Sequence, residues 1–346
     1  MRFPVRACAV LVALLALAVI APAWATTARP LKLTCPVCGA ATTGTSIMST
    51  NNFGGIDHDF CRHAVGSQPL LMVATTCPKC HYSAYADDFE KKVAPDVIKA
   101  VKGGALVVPS YAPVKTTAVD EGMESPPNSL PAWVRHDLVL QVLRLQKAPA
   151  FDQAWQMLVT SWAVRLEARI DMGAETESEK IFDALVKRSG VKGDDRSGDS
   201  VKLGRWLVSN LPKLSADEAR VAAPAGIRLL RERGENGMLL SGLEALKLGF
   251  PAERWPAIEK ALRESAALEQ KYQRMAVEAF TKYLPTPECT KEEDRFHVTY
   301  LVGELHRRLG EGTKALEFYQ KAETFPKGSK ELKEWITEQK ALLATP

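Results

Sequence analysis

Two Cys-Pro-x-Cys turns, Cys35-Pro36-Val37-Cys38-Gly39 and Cys77-Pro78-Lys79-Cys80-His81, constrain this chain more than any other feature. A Cys-x-x-Cys turn aims two sulfurs at one point while the following backbone amides donate to the thiolates, and two such turns complete a tetrahedral shell. Cys35, Cys38, Cys77 and Cys80 are therefore the expected metal ligands, with structural Zn²⁺ as the expected ion. Four thiolates close the shell, and such sites contribute about 10–16 kcal/mol of apparent binding energy to folding. A residue tolerant of positive φ is favourable directly after each second cysteine; Gly39 suits that place and His81 suits it less well. The 38 residues between the pairs exceed the usual ribbon interval, so a strand-rich insertion is expected there.

Two other readings compete for these cysteines. An oxidising compartment would favour disulfides, and a single Cys-Pro-x-Cys could be a thioredoxin-type redox pair, although no βαβ context surrounds either motif. Between the pairs lies Asp57-His58-Asp59-Phe60-Cys61-Arg62-His63, dense in possible ligands. A second metal or a hydrolytic centre there needs His58, Cys61 and His63 to converge. The simpler reading makes Asp57 and Asp59 turn and salt-bridge formers, puts Phe60 in the core and leaves the histidines on the surface. Cys61 and Cys289 are leftover thiols, and a disulfide between them would join the two halves of the chain. His81, His136, His297 and His306 stand alone and read as surface or packing residues, and Arg307-Arg308 reads as a solvated helix face.

The redox question turns on the compartment, and the first 25 residues address it. They carry a basic start (Arg2, Arg6), an apolar stretch from Ala7 to Ile20 and Ala23-Trp24-Ala25, the pattern of a secretory signal cleaved after Ala25. The apolar run is shorter than the roughly 20 residues a membrane span needs. Cys8 leaves with the leader, no other segment is suited to cross a membrane, and the expected location is extracytoplasmic, periplasmic or secreted. Removing Arg2 and Arg6 lowers the formal charge from +4 to +2, far from the basic footprint of a nucleic-acid binder.

Residues 26–102 read as a small β-rich, zinc-ribbon-like module, in which Leu70 to Thr75 is the clearest strand and Asp88 to Lys102 a helix. Residues 103–131, with Pro109, Pro113, Pro126, Pro127 and Pro131, read as a linker. Residues 132–346 have the helical period: Phe151, Trp155, Leu158, Trp162, Leu166 and Ile170 fall on one stripe. Ser215 with Glu218 and Thr290 with Glu293 are capping-box pairs, and Gly190 to Ser200 is an exposed loop. Gly303, Gly310, Ala315, Tyr319 and Ala322 have the spacing of a tetratricopeptide unit, against which Ala276, Phe280 and Tyr283 would stack as a degenerate repeat. The fold class expected is thus α+β, a zinc-ribbon-like module followed by a tetratricopeptide-like helical region.

With these residues placed, the chain resembles the bacterial proteins grouped as domain of unknown function 2225. The resemblance is carried by the first knuckle, Asp57-x-Asp59-Phe60, Pro69 eight residues before Cys77, the second knuckle followed by Tyr82, and the Gly-Glu-Leu-x-Arg-Arg-Leu-Gly run from Gly303. It covers most of the chain beyond the leader. Members typically have Gly after the second knuckle and Asn before the proline, where this chain has His81 and Gln68. The resemblance implies metal binding by Cys35, Cys38, Cys77 and Cys80 and helical repeats suited to protein contacts, and it implies no reaction.

These readings converge on an exported, non-enzymatic zinc protein whose helical repeats bind a protein or peptide. Serine-hydrolase elbow, zinc-protease helix and phosphate-loop motifs are all missing from the sequence. The alternative is an extracytoplasmic thiol-disulfide oxidoreductase or metal-handling protein that uses one Cys-Pro-x-Cys pair.

Overall fold

Each cysteine pair sits in the loop of an antiparallel hairpin. Strands β1 (Thr27–Thr34) and β2 (Ala41–Ser49) flank the first pair, with Thr34 opposite Ala41. Strands β3 (Ala74–Thr76) and β4 (Ser83–Tyr85) flank the second, with Thr76 opposite Ser83. This computed structural model describes residues 26–111, 130–168, 170–172, 178–191 and 198–344; the expected signal peptide and residues 112–129 of the expected linker lie outside them.

Between the hairpins the expected strand-rich insertion is mostly turn and loop, with one isolated bridge between Ile56 and Arg62. Leu70–Val73 forms a short helix, α1, and not the first half of a strand. Proline presets the φ of a first helical turn, and the Pro69 carbonyl accepts from the amides of Met72 and Val73. The expected helix from Asp88 is also shortened. Residues before proline are pushed to extended backbone, so Ala94 is extended (ψ 144°) and α2 starts at Pro95, running Pro95–Lys102.

The helical part comprises α3 (Ala132–Leu145), α4 (Ala150–Glu167), α5 (Glu179–Ser189), α6 (Gly198–Asn210), α7 (Ala216–Glu232), the short α8 (Asn236–Ser241) and α9 (Leu243–Leu246), α10 (Trp255–Tyr283), α11 (Glu292–Arg308), α12 (Gly312–Glu323) and α13 (Lys330–Ala344). With the two small sheets near the amino end, the chain is α+β. Ile170 lies beyond the end of α4, whereas Leu158 and Trp162 on the stripe enter the core. The Ser215–Glu218 capping box forms with both reciprocal bonds. The Thr290–Glu293 box does not: α11 begins one residue later, with Lys291 at its cap, and its first turn is served by Glu292, Glu293 and Asp294 against the positive helix end.

Four apolar clusters organise the packing. One joins α3, α4, α10 and α11 through Leu140, Leu158, Phe280 and Val302; another belongs to α5–α9 and the start of α10. A third, with Phe296, Tyr300, Tyr319 and Ile336, holds α11, α12 and α13 together. The fourth runs from the cysteine hairpins into α3, α4 and α10. Helix α10 packs most extensively on α4, and α11 most extensively on α12, across a loop of three residues. None of the helices among the described residues is long and apolar enough to cross a membrane.

Candidate metal centre

The two hairpin loops repeat one backbone pattern. The Gly39 amide donates to the Cys35 carbonyl (2.9 Å) and the Cys35 amide to Ala40 (2.9 Å); the His81 amide donates to Cys77 (3.0 Å) and the Cys77 amide to Tyr82 (2.8 Å). Closing the turn this way requires a left-handed residue after the second cysteine, and both positions have it: φ is +72° at Gly39 and +60° at His81. Glycine adopts that conformation freely, whereas histidine bears a strain of about 1–2 kcal/mol.

The turns bring all four expected ligand sulfurs together, each within 4.8 Å of the others. Cys35 Sγ lies 3.6 Å from Cys80 Sγ, and Cys38 Sγ lies 3.5 Å from Cys77 Sγ. A disulfide would hold two sulfurs at about 2.0 Å. A tetrahedron with metal–sulfur bonds of about 2.3 Å has edges of about 3.8 Å. The observed separations fall near the tetrahedral edge, and every cysteine among the described residues is free. The cluster therefore fits a metal ion held by four thiolates.

Local electrostatics favour the same occupancy. Burial pushes the Cys35 thiol up, against the Cys38 and Val37 amides aimed at its sulfur. Burial and then the neighbouring sulfurs raise Cys80 further. Burial also opposes ionisation of Cys38, yet the Ala40 amide and the adjoining thiols draw it down to about 7. Four sulfurs this close cannot all be anionic without a cation among them, while the amide donors are already set for thiolates. Cys35 and Cys77 are buried and Cys38 and Cys80 partly exposed. Around them, Val37, Tyr82 and Phe89 of the module share a core with Trp133, Val134 and Leu138 of α3, Val164 of α4 and Tyr272 of α10.

The segment between the knuckles does something the sequence does not announce: it carries Asp57 and Asp59 into the middle of the helical part. Arg165 of α4 donates to Asp57 (2.8 Å), Asp59 (2.5 Å) and Glu269 of α10 (2.9 Å). Arg233 joins Asp57, Arg231 joins Glu269, Arg308 joins Asp59 and Glu304, and Arg307 joins Glu304 and Glu235. Five carboxylates and five guanidiniums thus form one connected, buried and charge-balanced network, braced by Trp162 Nε1 donating to Asp59 and Tyr319 Oη donating to Glu304. Burial alone would raise Asp59 and Glu304, but the facing arginines hold both below the usual carboxylate range.

This geometry corrects the surface positions expected of Arg307, Arg308, His58 and His63, while His136 and His306 are packing residues. Arg307 and Arg308 are buried ion-pair partners, because Glu304 one turn earlier and Glu235 and Asp59 from other segments neutralise them. His63 is buried with Nε2 donating to Asp57 (2.8 Å), His306 is buried with Nδ1 on Glu311, and His58 is largely covered. His136 is buried too: its Nε2 donates to the Leu70 carbonyl, and its Nδ1 accepts from Gln156. Phe60 packs against the core as expected. Cys61 and Cys289 are both buried free thiols, with burial holding each thiol up.

Asp57, Cys61 and His63 do approach within ligand range of one another. The Asp57 carboxylate, however, is already engaged by Arg165, Arg233 and His63, so a cation there would face guanidiniums at contact distance. The i, i+3 and i+4 placement of Glu304, Arg307 and Arg308 is the one local signal of this network; nothing in the spacing of Arg165, Arg231, Arg233, Glu235 or Glu269 points to it.

Comparison with curated proteins and with solved structures finds no match. A family model does match, over residues 31–184 and 259–343, which takes in both knuckles, the loop bearing Asp57 and Asp59, α3, α4, most of α10 and α11 to α13, and leaves α6 to α9 outside. The chain therefore belongs to the family described as uncharacterized protein conserved in bacteria (DUF2225).

Proposed function

We propose that this protein is an exported, non-enzymatic zinc-binding protein whose tetratricopeptide-like helical part binds a protein or peptide. The observation that carries the metal assignment is the four-sulfur cluster with separations near a tetrahedral edge. An all-thiolate, four-coordinate shell selects zinc among the common divalent ions and leaves no position for substrate. The amino-terminal basic, apolar and Ala-x-Ala pattern supports export. Support for a binding role comes from the helical hairpin at α11–α12, where Gly303 lets Tyr319 approach, and from the burial and pairing of the Asp57–His63 groups that a hydrolytic centre would need.

A second reading, thiol–disulfide exchange, draws on one observation: Cys38 is partly exposed and its thiol is drawn down to about 7. Alkylation in living cells separates the two. On the zinc reading the mature protein starts at Thr26, is found outside the cytoplasm, and its four knuckle thiols resist alkylation until a chelator is added. Rapid labelling of Cys38 without chelator, or a mixed disulfide through it, would replace the zinc reading with the redox one.

A further inference from the structure

Helices α4, α10 and α11 leave a cavity of about 230 Å³ between them, lined by four aromatic side chains, Phe60, Phe151, Trp155 and Tyr283, with Asp294 and His297 among its polar groups. The rings are fixed from behind. Phe151 stacks on Trp155 (6.1 Å, 17°) and tilts on Tyr283 (5.4 Å), and Trp155 meets Trp162 edge-on at 5.5 Å. Trp162 is in turn anchored on Asp59 of the buried charge network. Phe60 reaches the wall through a left-handed backbone, φ +70°, costly for a bulky residue and held by its amide on the Asp57 carbonyl (2.8 Å). Its ring is backed by Tyr300 and Trp335.

We infer that this cavity binds a quaternary ammonium group. Aromatic faces attract a cation through their quadrupole, and the attraction grows as the cation is desolvated. Asp294, exposed at the first turn of α11, supplies the opposing charge, while its neighbour Arg295 lies over the Phe325 ring instead. A primary ammonium has three N–H groups to satisfy when it leaves water. The side-chain acceptors of the lining are Asp294, Tyr283 Oη, which donates to the Glu288 carbonyl, and His297, whose Nδ1 already donates to the Glu293 carbonyl. An alkylated ammonium has no N–H to satisfy and presents apolar methyls to apolar rings, so it fits this wall better than a lysine side chain does. Phe60 comes from the segment between the cysteine pairs and the other lining residues from the helical part, and none of the four clustered cysteines lines the cavity.

The test is an NMR titration of the full chain with tetramethylammonium chloride, read at the Trp155 indole N–H, which is identified by its loss in Trp155→Phe. Saturable shifts are expected with tetramethylammonium and with choline, with binding weakened about tenfold in Phe151→Leu and severalfold in Asp294→Asn, both of which keep the Trp155 indole, and at least about tenfold weaker binding of 3,3-dimethylbutan-1-ol, the neutral isostere of choline. Because Asp294 is exposed, its variant folds even if the Phe151 one does not. Sedimentation with phosphatidylcholine vesicles, against phosphatidylglycerol ones, then distinguishes sources. Vesicle binding displaced by tetramethylammonium marks a lipid headgroup, and binding of the free cation alone marks a soluble ligand. No saturable shift, or equal affinity for the neutral isostere, would overturn the inference.

Discussion

Arg165 is the residue on which most of the interior depends, since one planar guanidinium meets Asp57, Asp59 and Glu269 together. Buried pairs contribute little net stability when intact, but removing one partner strands a charge, at about 3–5 kcal/mol. Arg165→Met should therefore lower the urea unfolding free energy by about that amount. Arg165→Lys should not restore it, because a single ammonium cannot span three carboxylates as a fork does. Wild-type stability in either variant would refute the network's role. His136 makes a second prediction, about pH. Burial, and secondarily Arg135, depress its folded-state value to about 4, and the tautomer with Nε2–H on Leu70 is neutral. A histidine whose folded value lies below its unfolded value of about 6.5 binds more protons when unfolded, so stability falls as pH drops from about 6.5 to about 4. The loss attributable to His136 is about 3 kcal/mol over that window. In His136→Gln the urea midpoint should be lower at pH 7 yet flatter across the window, and an unchanged pH dependence would show that His136 titrates normally.

At the level of elements, close packing between α11 and α12 rests on Gly303. A methyl there would lie 2.9 Å from Tyr319 Cδ1, and that ring cannot swing aside while its hydroxyl donates to Glu304. Gly303→Ala is expected to cost about 1–3 kcal/mol as overpacking, measured by thermal or urea unfolding; a neutral result would mean that the two helices slide apart freely. This contact was legible in the sequence because small-residue and aromatic spacing on a helical hairpin is a local pattern. So were the knuckles, the Ser215 cap and the α4 stripe. The α1 turn was not, because Leu70–Val73 is apolar and β-compatible, and only the Pro69 backbone decides in favour of a helix. The charge network was hidden for a different reason: Asp57, Arg165, Arg233, Glu269 and Arg308 come from five distant segments, and pairing across such separations leaves no period to read. Charged residues are by default placed on the surface, and here that default fails for ten side chains at once.

On the scale of the whole molecule, the cysteine module is joined to the helices by the apolar core around Cys35, Cys77, Trp133 and Leu138, by Asp57 and Asp59 within the arginine network, and by the Leu70, Leu71 and Ala74 carbonyls, which accept from His136 and Arg135 of α3. Losing the metal would leave four crowded thiols in that shared core. Chelation of the loaded protein should therefore lower the melting temperature of the helical signal itself, and acid should do the same as the thiolates take up protons. A helical transition indifferent to chelator would show the two parts to be energetically separate. The most direct measurement is elemental mass spectrometry of residues 26–346 combined with thiol counting before and after chelation. One zinc per chain, with the thiols of Cys35, Cys38, Cys77 and Cys80 reactive only after the chelator, is the predicted result; a chain without zinc whose knuckle cysteines are oxidised, or alkylated at once, would contradict it.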